Sequence, residues 1–214
     1  MKENITAITQ QTGIWRGDQK LAQQAGVPTG FTALDDLLPG GWPRSAITEV
    51  LLGKEGIGEL RLFMPALAQL SHAGRWVAWI APPHIPYAAA LATYGVNLSR
   101  VLLVHPKAGN DGLWAVEQAL RSGTCGAVLA WPASGDQRQQ RRLQLAAEAG
   151  QSVGILFRSE HTISQASPVA LRLRLSPAQE GLTVQVLKRR GGWASNAVVL
   201  SNSELELSYP LATH

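Results

Sequence analysis

Residues Gly53, Lys54, Glu55, Gly56, Ile57, Gly58, Glu59 and Leu60 have the spacing of a phosphate-binding loop without its chemistry. The pattern G-x-x-x-x-G requires Lys next, to meet the β- and γ-phosphates, and then Ser or Thr, whose hydroxyl holds Mg²⁺. Glu59 and Leu60 stand at those two positions. A carboxylate repels a triphosphate, and leucine cannot ligate a metal. What the loop keeps is its backbone N–H groups, which can meet an anion, with Glu59 opposing. An apolar run (Ala46, Ile47, Val50, Leu51, Leu52) precedes the loop and a helical pattern follows it. These eight residues therefore predict the fold of a nucleotide-binding protein and argue against ATP hydrolysis.

No other group of residues offers catalysis. His72, His84, His105, His161 and His214 share no metal-ligand spacing, so no metal is expected. The single cysteine, Cys125, excludes an internal disulfide and a multi-cysteine metal site, and is expected to pack before a strand. No G-x-S-x-G elbow is present.

Charge points instead to binding. The net charge is +4, yet residues 136–192 alone carry nine basic and four acidic side chains. Arg138, Arg141 and Arg142 fall at helical spacing on one face. Lys188, Arg189 and Arg190 follow a strand pattern, and Gly191, Gly192 and Trp193 come next, so the cations are expected to project from a sheet edge. Cations beside an aromatic are the parts of a single-strand binding surface. An acidic protein face and a solvated rim fit the same residues, so direct DNA contact stays open. Of the seven tryptophans, Trp76, Trp79 and Trp114 fit core or half-buried packing. Trp15 lies beside Ile14 in a polar segment, placed either to dock back on the domain or to insert into a neighbour.

These residues need a scaffold, and the patterning supplies one. Phe31, Leu34, Leu37 and Leu38 have helical spacing, stopped by Pro39-Gly40-Gly41. Residues 47–52 read as a buried strand. Residues 59–71 read as a helix that Pro65 should kink. Strands follow at 76–81, 101–104, 127–131 and 153–157, alternating with helices at 87–94, 113–121 and 138–149. Residues 171–175 and 182–187 alternate with period two and read as a hairpin with one wet face. The alternation of strand and helix means βαβ units and a mostly parallel sheet.

With 214 residues, 45% hydrophobic and 16% charged, the chain can bury one sizeable core. The expected organisation is an N-terminal tail over 1–28, one domain over 29–207 and a short tail over 208–214. Apolar runs of about eight residues fall short of the roughly 20 that cross a bilayer, and residues 1–4 lack the apolar stretch of a signal peptide. A cytoplasmic protein with no membrane contact is expected.

In order and spacing, Thr29-Gly30-Phe31-Thr32-Ala33-Leu34-Asp35, Gly40-Gly41-Trp42-Pro43-Arg44 and Ile47-Thr48-Glu49-Val50 resemble the RecA recombinase core. Residues 94–102 and 119–123 do so too, and the similarity runs from about 29 to about 200. The resemblance implies an α/β fold: a single RecA-like domain, a mostly parallel sheet flanked by helices, and antiparallel edge strands near the C-terminus. It also implies three functional positions. The Walker A Lys and Thr fall on Glu59 and Leu60, the water-activating Glu on Pro83, and the Walker B Asp on Ala130 or Trp131. Phosphoryl transfer is mostly positioning and charge neutralisation around Mg²⁺, so a non-catalytic relative without a cofactor is implied.

Ile14-Trp15-Arg16-Gly17, Gly58-Glu59-Leu60-Arg61-Leu62, Ala81-Pro82-Pro83, residues 143–150 and Lys188-Arg189-Arg190-Gly191-Gly192-Trp193 resemble the ImuA family, RecA-like accessory proteins of damage-induced translesion synthesis. That resemblance implies an adaptor whose partners are ImuB (an inactive Y-family polymerase relative), RecA and an error-prone replicative-type polymerase. Self-association through the N-terminal tail is a further implication. Arg75-Trp76, Trp79, Ala81-Pro82-Pro83, Leu120-Arg121-Ser122-Gly123 and Trp131 are also similar to the SulA family, cell-division inhibitors that bind FtsZ. SulA-like chains are shorter and lack the block before the loop remnant and the basic-Trp tail. Both are present here, which puts the ImuA resemblance first.

Overall fold

Strand β1 (Ala46–Leu52) is buried along its whole length, and the fold is built outward from it. The computed structural model describes residues 26–107, 111–132, 135–190 and 197–207. The other strands are β2 (Trp76–Ile80), β3 (Val101–Val104), β4 (Cys125–Ala130), β5 (Val153–Ser159), β6 (Leu171–Ala178), β7 (Gly181–Arg189) and β8 (Ala197–Ser201). They form one eight-stranded sheet in the order β3-β2-β4-β5-β1-β6-β7-β8. Strands β1 to β6 run parallel. The β6–β7 and β7–β8 pairs are antiparallel. This is the mixed α/β architecture expected from the sequence.

Helices cover both faces. On one face, α1 (Thr32–Leu37) and α2 (Met64–His72) pack with Val50, Trp79, Leu129, Phe157 and Leu173. On the other, α4 (Asp111–Arg121) and α5 (Gln137–Gly150) pack with Ile47, Ala78, Ile80, Val128 and Leu156. Helix α3 (Ala88–Thr93) connects β2 to β3, and α6 (Asn202–Leu207) follows β8. Central parallel strands are covered on both faces, which is why they read as continuous apolar runs.

Three details differ from the sequence reading. The helix read at 59–71 begins only at Met64, after a 3₁₀ turn at Arg61–Phe63. Pro65 thus sits in the first turn, where its missing N–H would have had no helical partner, and it causes no kink. Val27, assigned above to the tail, is fully buried and bridges Trp42. Strand β8 was not read from the sequence.

Candidate functional site

The loop over 53–60 leaves β1 and turns through Gly56 (φ 78°) and Gly58 (φ 94°). A Cβ would meet nothing within 4 Å at Gly56 and only Arg61 Cδ, at 4.0 Å, at Gly58, so backbone conformation rather than crowding requires glycine there. Glu59 is only 7% exposed. Its Oε1 accepts a hydrogen bond from the Gly56 N–H at 3.1 Å. The loop thus supplies its own anion to one of its own donors. Leu60 packs against the core. At the start of the loop, the Glu160 carboxylate lies 2.8 Å from where a Cβ on Gly53 would stand, and it pairs with Arg174. Two carboxylates therefore border the loop, and like charges oppose phosphate there.

The Walker B position is filled by packing. Ala130 is buried at the end of β4. The ring of Trp131 stacks between Trp79 (5.8 Å) and Phe157 (4.6 Å). Phe157 meets Phe63 edge-on at 5.8 Å, and Phe63 meets Trp42 at 4.7 Å. Five aromatic rings thus run continuously beneath the ends of β2, β4 and β5. Pro83 is exposed in the loop after β2. None of these side chains can order a metal or activate water. Among the described residues, no group of three His, Cys, Asp or Glu could hold a metal ion.

Sequence reasoning missed a buried charge cluster. Glu49 is fully buried in β1. Its Oε1 accepts from Arg158 Nη1 at 2.6 Å and from Gln140 Nε2 at 3.2 Å. Its Oε2 accepts from Arg172 Nε at 2.5 Å. The remaining Arg172 donors reach the carbonyls of Thr162, Ile163 and Gln165. Arg158 also donates to the Gly135 carbonyl at 3.3 Å. One carboxylate therefore fixes the segment after β5 and the approach to α5. The available signal was a Glu inside an apolar strand, with Arg172 alternating among leucines.

The structure divides each of the two basic groups between different contacts. Arg142 pairs with Glu117 of α4, which also takes Arg121. Arg138 and Arg141 are exposed and have no ion-pair partner among the described residues. Strand β7 continues through Arg189, so Lys188, Arg189 and Arg190 do not project together. Opposite the Arg172–Leu173 step, Leu187 is an extra residue that shifts the alternation. Lys188 Nζ donates to the Ser167 carbonyl and Arg190 reaches Glu148 at 3.4 Å, both on the α5 side. Arg189 Nη1 donates to the Leu37 carbonyl at 3.3 Å, on the α1 side. Burial, then the charges of Arg190 and Arg172, push the Lys188 amine below its usual range. Trp15 and Trp193 lie outside the described residues.

A second surface is apolar. Strand β3 ends the sheet and leaves its outer edge unpaired among the described residues. Leu102 and Leu103 are exposed on its two faces, and Ile85 and Tyr87 are each 75% exposed nearby in sequence. Trp114, expected in core or half-buried packing, is 63% exposed. It helps to line a cleft of about 540 Å³ with Val104, Pro106, Lys107, Asp111 and Ala115. Exposed apolar side chains on an unpaired edge strand are a recognition feature. Trp76 is half-buried under Arg100, 5.4 Å from its ring centroid, and Trp79 is fully buried.

No helix among the described residues is long and apolar enough to cross a membrane. Comparison with known proteins places the central region. The family profile described as cell division inhibitor SulA matches residues 45–154, just over half of the chain. The cell division inhibitor SulA of Edwardsiella piscicida is 35% identical over 108 residues, covering 50% of this chain and 64% of that protein. Protein RecA of Picosynechococcus sp. is 31% identical over 106 residues, covering 50% of this chain and 30% of RecA. Protein RecA of Bacillus pumilus is 33% identical over 114 residues, covering 53% and 33%. The chain thus spans less than two thirds of the SulA relative and about a third of the RecA relatives. The family match covers just over half of the chain and includes the altered loop, and the chain belongs to the SulA family.

Proposed function

We propose that the protein works by binding, as a non-catalytic RecA-like adaptor in SOS-induced, error-prone translesion DNA synthesis. The observation that carries this reading is the Glu59 carboxylate seated on the Gly56 N–H. It sets a fixed negative charge where a nucleotide would need a lysine. The aromatic stack around Trp131 supports the same reading, because it places apolar rings where a metal-ordering acid would stand. Relatedness to SulA and RecA supports a place in the DNA-damage response. The proposed partners are ImuB, RecA and an error-prone replicative-type polymerase, and the β3 edge offers one surface for them. The region outside the SulA match, Val27 with α1 and the β6–β8 strands, builds part of the core and favours this reading.

The second reading is inhibition of cell division through FtsZ, favoured by the SulA match over 45–154. Two cellular measurements separate them. Overexpression in undamaged cells should leave cell length normal, and deletion should lower damage-induced mutagenesis. Filamentous cells on overexpression, with mutagenesis unchanged on deletion, would overturn the adaptor reading in favour of the inhibitor.

A further inference from the structure

We infer that the outward stripe of α5 is a docking surface for an acidic, leucine-bearing protein segment. The inference deepens the binding reading above and rests on it. The inward side of α5 is fully engaged. Gln140 bridges Glu49 and Ser167, and Gln144 Oε1 accepts the Ile47 N–H at 3.0 Å. Leu143, Ala146 and Ala147 are buried. A capping box holds the start of the helix: Asp136 Oδ1 accepts the Gln139 N–H and Gln139 Oε1 accepts the Asp136 N–H. The helix is therefore rigidly mounted, and its outward side is free to present a fixed pattern.

That pattern is Arg138, Arg141 and Leu145, spaced at i, i+3 and i+7 along one stripe. Both arginines are exposed without an ion-pair partner among the described residues, and Leu145 is 54% exposed. The placement works against the helix itself. Arg138 occupies the first turn, where the macrodipole favours anions, and Arg141 repels it from the next turn. The Asp136 carboxylate beside it is already committed to the cap. Among the described residues no carboxylate pairs with either charge, so an external anion is what the stripe is suited to meet.

Two features select protein over nucleic acid. Leu145 places a hydrocarbon next to the cations. Glu148 follows one turn later, already paired with Arg190 and bonded by Gln144, so the run of free cations ends there and is too short to track a phosphate backbone. A partner segment with two carboxylates followed by an apolar side chain matches both.

The test uses the full chain and fluorescence anisotropy with three labelled probes: a synthetic amphipathic peptide of glutamate and leucine, the same peptide with lysine for glutamate, and an oligothymidylate. The wild type should bind the glutamate–leucine peptide in a salt-sensitive way. Arg138→Glu/Arg141→Glu should weaken that binding by about tenfold or more and gain the lysine peptide. Leu145→Ser should weaken it several-fold with an unchanged salt slope. Arg138→Gln/Arg141→Gln, which adds no new charge to the helix, should give the same loss without the gain. Oligothymidylate that binds as well as the peptide and loses as much in the charge variants would overturn the assignment, as would a peptide indifferent to all three. Because the assay uses no cells, its failure sinks this surface alone, and the adaptor reading is judged separately by mutagenesis.

Discussion

The carboxyl ends of the central strands and the outer flanks of the molecule treat their polar and aromatic groups in opposite ways. At the strand ends, nearly every group that could do chemistry is consumed by the fold. Glu59 closes its own loop, Glu160 holds Arg174, and Trp131 lies between two rings. Glu49 is divided between two arginines. At the flanks, groups are left available: the unpaired edge of β3, the exposed Trp114, and Arg138 with Arg141 on α5. A catalytic protein keeps unsatisfied, poised groups in a pocket. Here the groups left available face outward, the arrangement that the proposed binding role would use.

The largest expected effect comes from breaking the interior side of that contrast. Replacing Glu49 by Ala would leave two buried guanidinium groups without their counter-charge. Removing one partner of such a set costs about 3–5 kcal/mol, so the variant should melt far below the wild type or fail to fold. A loss under about 1 kcal/mol in urea unfolding would show that Arg158 and Arg172 find other partners. Next in size is Trp131→Ala. The ring is half-buried within a continuous stack, so about 2 kcal/mol should be lost. A neutral result would mean that the stack does not fill that end of the sheet.

The outward side predicts the reverse pattern, small in stability and large in function. Lys188, Arg189 and Arg190 make exposed or half-exposed contacts, each worth under about 1 kcal/mol. Their joint replacement by Ala should leave the protein folded and, on the proposed adaptor role, lower damage-induced mutagenesis in cells. Full function would make the segment a solubility feature, and unfolding would make it structural.

The smallest effect concerns α6. Hydrogen bonds from the Ser201 hydroxyl and then its backbone hold the Glu204 carboxyl below its usual 4.5. The stabilisation is therefore complete above that value and lost as pH falls through the lowered one. Because Glu204 is exposed, the loss should appear only as faster amide exchange at the start of α6. Exchange that is unchanged across this range would show that the Ser201 contacts do not hold the helix end.

The same contrast explains what the sequence made legible. Parallel strands covered on both faces leave apolar runs, so β1 to β5 and their helices could be read directly, and the glycine spacing located the altered loop. Contacts across the chain left little trace. Glu49 meets Arg158 and Arg172 from 109 and 123 residues away. A single extra residue, Leu187, reassigned the sides of three consecutive cations, and alternation counted from sequence cannot reveal a bulge. Pro65 looked internal to a helix because the apolar period runs back through a turn into the loop. Trp114 was read as core or half-buried packing, although tryptophan at a surface cleft is equally consistent with recognition.

The central claim is that the strand ends perform no phosphoryl chemistry. ATP turnover by the purified protein, measured alongside Glu59→Lys/Leu60→Thr, tests it most directly. The account predicts none in the wild type. It also predicts none in the double variant, because no metal-ordering acid or base replaces Trp131 and Pro83. Wild-type turnover that disappears on substituting residues 53–60 would contradict the account.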